Sequence, residues 1–209
     1  TDGAYQPALD QALQAGGKDA PDIYCAESAF VLKYSKGDME EYAIPYKKLG
    51  IKIDKALKAS EIAPYTVDIG SNSKGDVDAL GYQSTGGCFI YRRSVAKTVF
   101  GTDDPKTVQA KLGGGSGNWD KFWKAAEECA AKGVAIISGD GDLWHAVENS
   151  SDKGWIVDDK LYIDPKREKF LDYSKNLTDK GWSNGTQDWQ DAWFADMKGE
   201  GEKGILGFF

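Results

Sequence analysis

A chain of 209 residues with 41% hydrophobic and 28% charged side chains carries enough apolar content for a buried core, and enough length for one large or two small domains. Its net charge of −7 repels phosphate and so excludes nucleic acid and anionic membrane as natural partners; the basic pairs Arg92–Arg93 and Lys166–Arg167 are short, isolated and read as solvated surface. No run approaches the ~18 apolar residues of a membrane span, and the opening TDGAYQPALD is not a signal peptide, so the chain reads as intracellular or as one whose leader has been removed or left out.

In chain order, helix and strand signals alternate. Tyr5, Leu9 and Leu13 draw one helix stripe, with Gly16–Gly17 as its stop. DIYCAE after Pro21 predicts a strand over 22–26, Ser28 to Tyr34 returns to helical spacing, and 59–70 reads as a further helix. SNSKGD at 71–76 is a turn of residues that bond their own backbone, leading into a strand over 77–82. YQSTGGCFIYRR at 82–93 then couples a polar loop to a short buried strand over 87–91, where Gly86 and Gly87 permit unusual backbone angles or close approach. The strands at 22–26, 77–82 and 87–91 are expected to share one sheet, and the strand at 134–137 to lie in another.

From Ser94 helices dominate. SVAKTVFG is followed by DDPKTVQAKL, where Asp104 caps and Pro105 opens the first turn. GGGSG at 113–117 lacks the Gly-Lys-Ser/Thr of a phosphate loop and follows a helix, so it reads as a link. NWDKFWKAAEECAAKG carries a helical apolar stripe ending at Gly133, and its two tryptophans read as core. VAII at 134–137 is a buried strand that delivers SGDGDLW to a helix start, the place where α/β folds put ligands. GWIVDDKLYID predicts a hairpin turning at Asp158–Asp159. A helix opened by Asp164 and Pro165, with Phe170, Leu171, Tyr173, Ser174 and Leu177 inward, precedes a loop, one more helix and the closing strand of KGILGFF. Cys25, Cys88 and Cys129 lack metal-ligand spacing and read as buried small hydrophobes, and the lone histidine, His145, has no catalytic partners evident in sequence. Asn-x-Ser/Thr at Asn149, Asn176 and Asn184 is short enough to arise by chance.

DIYCAE, ALGYQSTGGCFIYRRSVAKTVFGTDDP, NWDKFWKAAEECAAKG, DGDLW and AWFADMKGEGEKGILGFF, in this order and spacing, resemble the extracellular solute-binding proteins of ABC importers, family 1, carbohydrate group. The resemblance runs across nearly the whole chain. Its most specific parts are the polar loop with FIYRR and a helix ending before GTDDP, and the late AWFADMKGE segment before a strand. It implies an α/β, periplasmic-binding-protein-like two-lobed fold of type II with an incomplete first lobe. Residues 1–85 would be part of lobe one, 86–203 most of lobe two, and 204–209 a strand starting the return to lobe one, with the crossing near 83–93. Family members usually begin with a lipobox or signal peptide and continue beyond GILGFF, so this chain resembles a central fragment whose exposed sheet edges invite self-association. The resemblance implies capture of a sugar or oligosaccharide in a cleft between lobes, and permease subunits of an ABC importer as partners. It also implies a cell-surface lipoprotein or periplasmic location, and no catalysis, cofactor, metal or nucleic acid.

Sugar recognition needs flat apolar faces and fixed polar groups. The candidates are Glu27 at the carboxyl end of the DIYCA strand, Gln83 and Ser84 before the 87–91 strand, and Asp140, Asp142 and Trp144 on the second strand-to-helix loop. Trp182 and Trp189 flank a later loop; Trp144 ranks first for stacking, whereas Trp189 shares a helix stripe with Trp193, Phe194 and Met197 that also suits core packing. The rival reading is a glycoside hydrolase pairing Glu27 with Asp140 or Asp142, which needs the two groups roughly 5–10 Å apart. A stand-alone lectin is disfavoured because such modules are mostly all-β.

Overall fold

The computed structural model describes residues 3–83 and 86–209. Contacts within the chain divide it into two units, Thr1–Gly86 and Gly87–Phe209.

The first unit is helical. Helix α1 (Tyr5–Ala15) buries Leu9 and Leu13, four residues apart, and ends at Gly16, whose φ of 62° suits glycine. Short helix α2 (Val31–Ser35) brings Tyr34 against them; its hydroxyl donates to Asp10 Oδ1 at 2.9 Å, and Lys33 pairs with the same carboxylate. Leu9, Leu13, Tyr34 and Met39 form the unit's small core. The single helix expected over 59–70 is two: α3 (Ile53–Ser60) stops at Glu61, and α4 (Pro64–Ile69) begins at a proline that cannot sit inside a helix. The 71–76 turn forms as expected, with Asn72 Oδ1 accepting from the amides of Lys74 at 3.0 Å and Asp76 at 2.9 Å. The strands expected at 22–26 and 77–82 do not form; Val77 alone makes an isolated bridge, to Ser71.

The second unit carries the sheet. β1 (Ile90–Tyr91) pairs antiparallel with β6 (Gly207–Phe208), and β2 (Val134–Ala135) pairs parallel with β5 (Gly204–Ile205). Leu206 joins the two ladders, accepting from the Arg92 amide at 2.7 Å and donating to the Ala135 carbonyl at 2.9 Å. Ile136 donates onward to the Trp182 carbonyl at 2.9 Å, and Ile137 bridges Ser183. The strands at 90–91 and 134–135 lie in separate two-stranded sheets, as expected, and Leu206 between β5 and β6 bonds to the chain beside both. The 204–208 segment, expected to start a return to the first lobe, lies inside the second unit. Ala135, Ile136, Ile137, Ile205 and Leu206 are fully buried, which is why this ribbon reads as short apolar runs rather than as alternation.

Helices α5 (Arg93–Phe100), α6 (Pro105–Leu112) and α7 (Asp120–Ala130) follow β1, with Asp104 accepting from the Thr107 amide as the predicted cap. α7 buries Phe122, Ala125, Ala126 and Cys129; of the stripe expected from the sequence, Trp119 and Trp123 are half-buried against the core and Ala130 is exposed. After β2 come α8 (Asp140–Ser150), the hairpin β3 (Ile156–Val157) and β4 (Lys160–Leu161), α9 (Pro165–Asp179) and α10 (Asp191–Lys198). Asp158 and Asp159 take φ of 51° and 56°, the twist a two-residue hairpin turn requires.

Some expectations fail at single residues. Leu171 is 69% exposed, because α9 turns only Leu177 and the flanks of Phe170 and Tyr173 to the core. Cys25 and Cys88 are exposed, and only Cys129 is buried. A side chain at Gly86 or Gly87 would meet open space at ordinary φ, so neither glycine marks a close approach.

Candidate functional site

The site grows from the end of the second unit's inner ribbon. Past Ile137 the chain passes Ser138 and Gly139 into α8, and this turn is covered by the 184–190 segment. The Ser138 carbonyl accepts from the amides of Asn184 at 3.0 Å and Thr186 at 3.3 Å. Its hydroxyl donates to Asp196 Oδ2 at 2.5 Å, with Thr186 Oγ1 also at 2.5 Å, and Asn184 Nδ2 donates to Asp196 Oδ1 at 2.7 Å. Ser138 and Asp196 are essentially inaccessible, so this network pins the covering segment to α8 and α10. Backbone contact sets the residue at 139: a Cβ there would sit 1.9 Å from the Thr186 carbonyl oxygen. Gly139→Ala is accordingly expected to push the covering segment away at a cost of about 1–3 kcal/mol, read as a lowered urea midpoint at unchanged slope.

Asp142, on the first turn of α8, is 1% exposed. Its Oδ2 accepts from the amides of Ser138 at 3.3 Å and Gly139 at 3.5 Å, and its Oδ1 lies 3.5 Å from Trp193 Nε1. Burial pushes its pKa up to about 6, with the Asp188 charge adding to the rise and the amide and indole donors opposing it. Asp188 packs its carboxylate against Gly141, where a Cβ would come within 2.5 Å of both oxygens, and Asp188 Oδ2 lies 3.1 Å from His145 Nε2. Asp188 Oδ1 is buried without a partner, while the His145 side chain remains 55% exposed.

Trp189 follows directly. It is 70% exposed and holds a φ of 66°, a left-handed conformation that costs a bulky residue energy, and its ring lies 5.2 Å from Trp193 and 6.5 Å from Phe194. An exposed indole held out on strained backbone, next to a carboxylate–imidazole pair, offers an apolar face flanked by polar groups.

The other sequence candidates have different surroundings. Asp140 is exposed and accepts from the Ser174 hydroxyl of α9 at 2.6 Å. Trp144 is half-buried, edge-on to Phe170 at 4.9 Å and 6.5 Å from Trp155, whose face is covered by the Arg167 guanidinium at 4.4 Å. Trp182 is 6% exposed, stacked on Trp123 at 5.7 Å, and so has no free face for a ligand. Glu27 and Gln83 are exposed in the first unit, but Glu27 stands before α2 rather than at a strand's end. Ser84 lies outside the described residues. Asp140, Asp142 and Trp144 thus share α8, with Asp142 turned inward. Sequence reasoning missed Asp188, His145 and the Ser138–Thr186–Asn184–Asp196 network; its one available signal was the polar run Asn184–Gln187 ahead of Asp188–Trp189. Among the described residues, no group of His, Cys, Asp or Glu is placed to hold a metal ion, and no helix is long and apolar enough to cross a membrane.

A strand that ends in a small-residue turn at a helix start, as 134–139 does before α8, is the local pattern of an α/β fold. The chain shares this fold with the crystal structure of an extracellular solute-binding protein of family 1, at a TM-score of 0.73 and 20% identity. The match covers 97% of this chain and 50% of that one, so the chain spans about half the length of the solved protein, and the helical first unit has the form of an incomplete α/β lobe. No protein-family model matches the sequence, and a search of curated proteins finds no match. The sequence resemblance is thus met at the level of fold.

Proposed function

We propose that this chain is the ligand-holding part of an extracellular solute-binding protein. It takes a sugar or oligosaccharide and delivers it to the membrane permease subunits of an ABC importer, at the cell surface as a lipoprotein or in the periplasm, and it does so without catalysis. Trp189 carries the reading: on left-handed backbone its indole stays 70% exposed despite its contact with Trp193, and a sugar ring's apolar face is a natural cover for it. Phe194 stands edge-on to that indole, and the Asp188–His145 pair, next along the chain, supplies hydrogen-bonding groups. Asp140, exposed on the first turn of α8, is a further proposed contact. The solved fold-mate, itself described as a solute-binding protein, supports the class. A glycoside hydrolase has less support, because Asp142 is engaged by Ser138, Gly139 and Trp193 and Asp140 by Ser174.

A thermal-shift screen of the protein against mono- and oligosaccharides, with product analysis of each hit, tests this. At least one sugar is expected to raise Tm unchanged, and Trp189→Ala to weaken its binding by 1–3 kcal/mol, ~5- to 150-fold, in a normally folded variant. A panel with no stabilising sugar removes the sugar reading, and a hydrolysed hit makes the protein an enzyme.

A further inference from the structure

The two segments that build the second unit's site carry charge of one sign. Residues 138–149 and 183–197 hold six carboxylates, on Asp140, Asp142, Glu148, Asp188, Asp191 and Asp196, and no lysine or arginine, in a chain that has 26 of those cations. Among the described residues only Glu148 of the six is paired with one, its Oε2 lying 2.7 Å from Arg167 Nε. Asp196 is held by Ser138 and Asn184, Asp142 by two amides and the Trp193 indole, and Asp140 by the Ser174 hydroxyl, all of them uncharged donors. Asp188 has His145 on one oxygen while the other is buried without a partner, and Asp191 is exposed on the first turn of α10. Two links bring this charge to the exposed indole of Trp189. Asp188 precedes it in the chain, and Trp193, whose ring lies 5.2 Å from it, has Nε1 3.5 Å from Asp142 Oδ1.

We infer that the sugar taken at this site is a cationic one, an oligosaccharide bearing protonated amines. The inference rests on the sugar-binding reading of Trp189 and names the class of sugar. A carboxylate only accepts hydrogen bonds, so a ligand here must bring donors, and an ammonium brings three together with the opposite charge. The face of an indole carries negative potential, so it attracts a cation as well as covering an apolar ring. The one basic side chain in either segment, His145, sits on Asp188 and leaves Asp140, Asp142 and Asp191 without a cationic partner among the described residues. Such carboxylates act on a ligand over roughly 8–10 Å in spite of salt, and the same field repels uronates and sugar phosphates. A neutral sugar would use the apolar face and leave the charge unused.

Three series of oligomers with one β-1,4-linked backbone decide it. Glucosamine, N-acetylglucosamine and glucose oligomers of equal length differ at C2, where they carry an amine, an acetamide or a hydroxyl. In calorimetric titrations at about pH 6.5, where sugar amines are largely protonated, the glucosamine series is expected to bind at least about tenfold tighter than either neutral series. The gap should narrow severalfold between about 50 and 500 mM salt. Asp188→Asn should weaken the glucosamine series by about three- to tenfold and leave any neutral binding within about twofold, a split that a structural role for Asp188 would not produce. Asp140→Asn, at an exposed position that tolerates the change, should act in the same direction. Equal or tighter binding of a neutral series overturns the inference and leaves the sugar-binding reading standing. Spermidine, an amine with no sugar ring, binding as tightly as the glucosamine oligomers overturns the sugar reading along with it. Binding by none of the three series overturns the inference whatever a wider sugar screen finds, as does a glucosamine preference that is indifferent to salt and survives both substitutions.

Discussion

Trp182→Ala is expected to destabilise the second unit by about 3–5 kcal/mol, the cost of removing a large aromatic side chain from a packed core. The indole is 6% exposed, near-parallel to Trp123 at 18°, and has the Lys180 ammonium 5.1 Å from its ring centre. Its own backbone is structural as well: the amide donates to the Leu177 carbonyl and the carbonyl accepts from Ile136, tying the end of α9 to the inner ribbon. A cavity there would loosen α7, α9 and the ribbon together. The measurement is chemical denaturation followed by near-ultraviolet circular dichroism, with Trp189→Ala as the control. The control removes an exposed ring and should move the midpoint by no more than about 0.5 kcal/mol, the usual range for a surface change. A midpoint unchanged in Trp182→Ala would take that ring out of the core and return it to the ligand face.

The contrast between these two tryptophans shows what the sequence could and could not convey. Helices were legible wherever a stripe and a cap agreed: Leu9 and Leu13 ahead of Gly16, Asp104 with Pro105, Asp164 with Pro165, and the α7 stripe at Phe122, Ala126 and Cys129 all fold as read. The hairpin was legible for the same reason, because Asp158–Asp159 between apolar pairs leaves the backbone few alternatives. Strand partners were not legible. DIYCAE has strand composition, yet its pairing depends on residues distant in sequence, and among the described residues it finds none. The partner of 90–91 was misread: the strands expected beside it at 22–26 and 77–82 do not form, and its actual partner, Gly207–Phe208, lies more than a hundred residues later.

At the site, chemistry was legible and orientation was not. The turn from VAII into DGDLW was correctly placed at a helix start, but two carboxylates two residues apart give no hint of which turns inward. Asp142 does so because the third residue of the helix lies where its carboxylate reaches the free amides of Ser138 and Gly139. Asp140, two residues earlier, points instead to Ser174 on a different helix. The positive φ of Trp189 has no sequence signature at all, since left-handed backbone is ordinarily forecast from glycine or asparagine.

The inward turn of Asp142 gives stability an unusual pH dependence. Its folded pKa is raised from 3.8 to about 6, so between those values the native state holds a proton that the unfolded chain releases. The contribution is therefore fully favourable below about pH 4 and is lost as pH rises through 6, a swing of about 3 kcal/mol for a group this buried. Asp10, Asp103, Asp104 and Asp164 act in the opposite sense: their folded pKa values are lowered, so their contributions are lost as pH falls below the ordinary carboxylate range. The Asp142 effect is isolated by comparing the protein with Asp142→Asn, which cannot titrate, in urea melts from pH 4.5 to 7.5. The stability of the protein relative to the variant should rise by about 2–3 kcal/mol on acidification across pH 7 to 4.5. Parallel curves would mean that Asp142 ionises as it does in the unfolded chain. Asp188→Asn supplies the second half of the test, because it removes the neighbouring charge that adds to the rise while leaving Asp142 buried. The transition should then move to lower pH and shrink, yet remain, since burial is the larger cause.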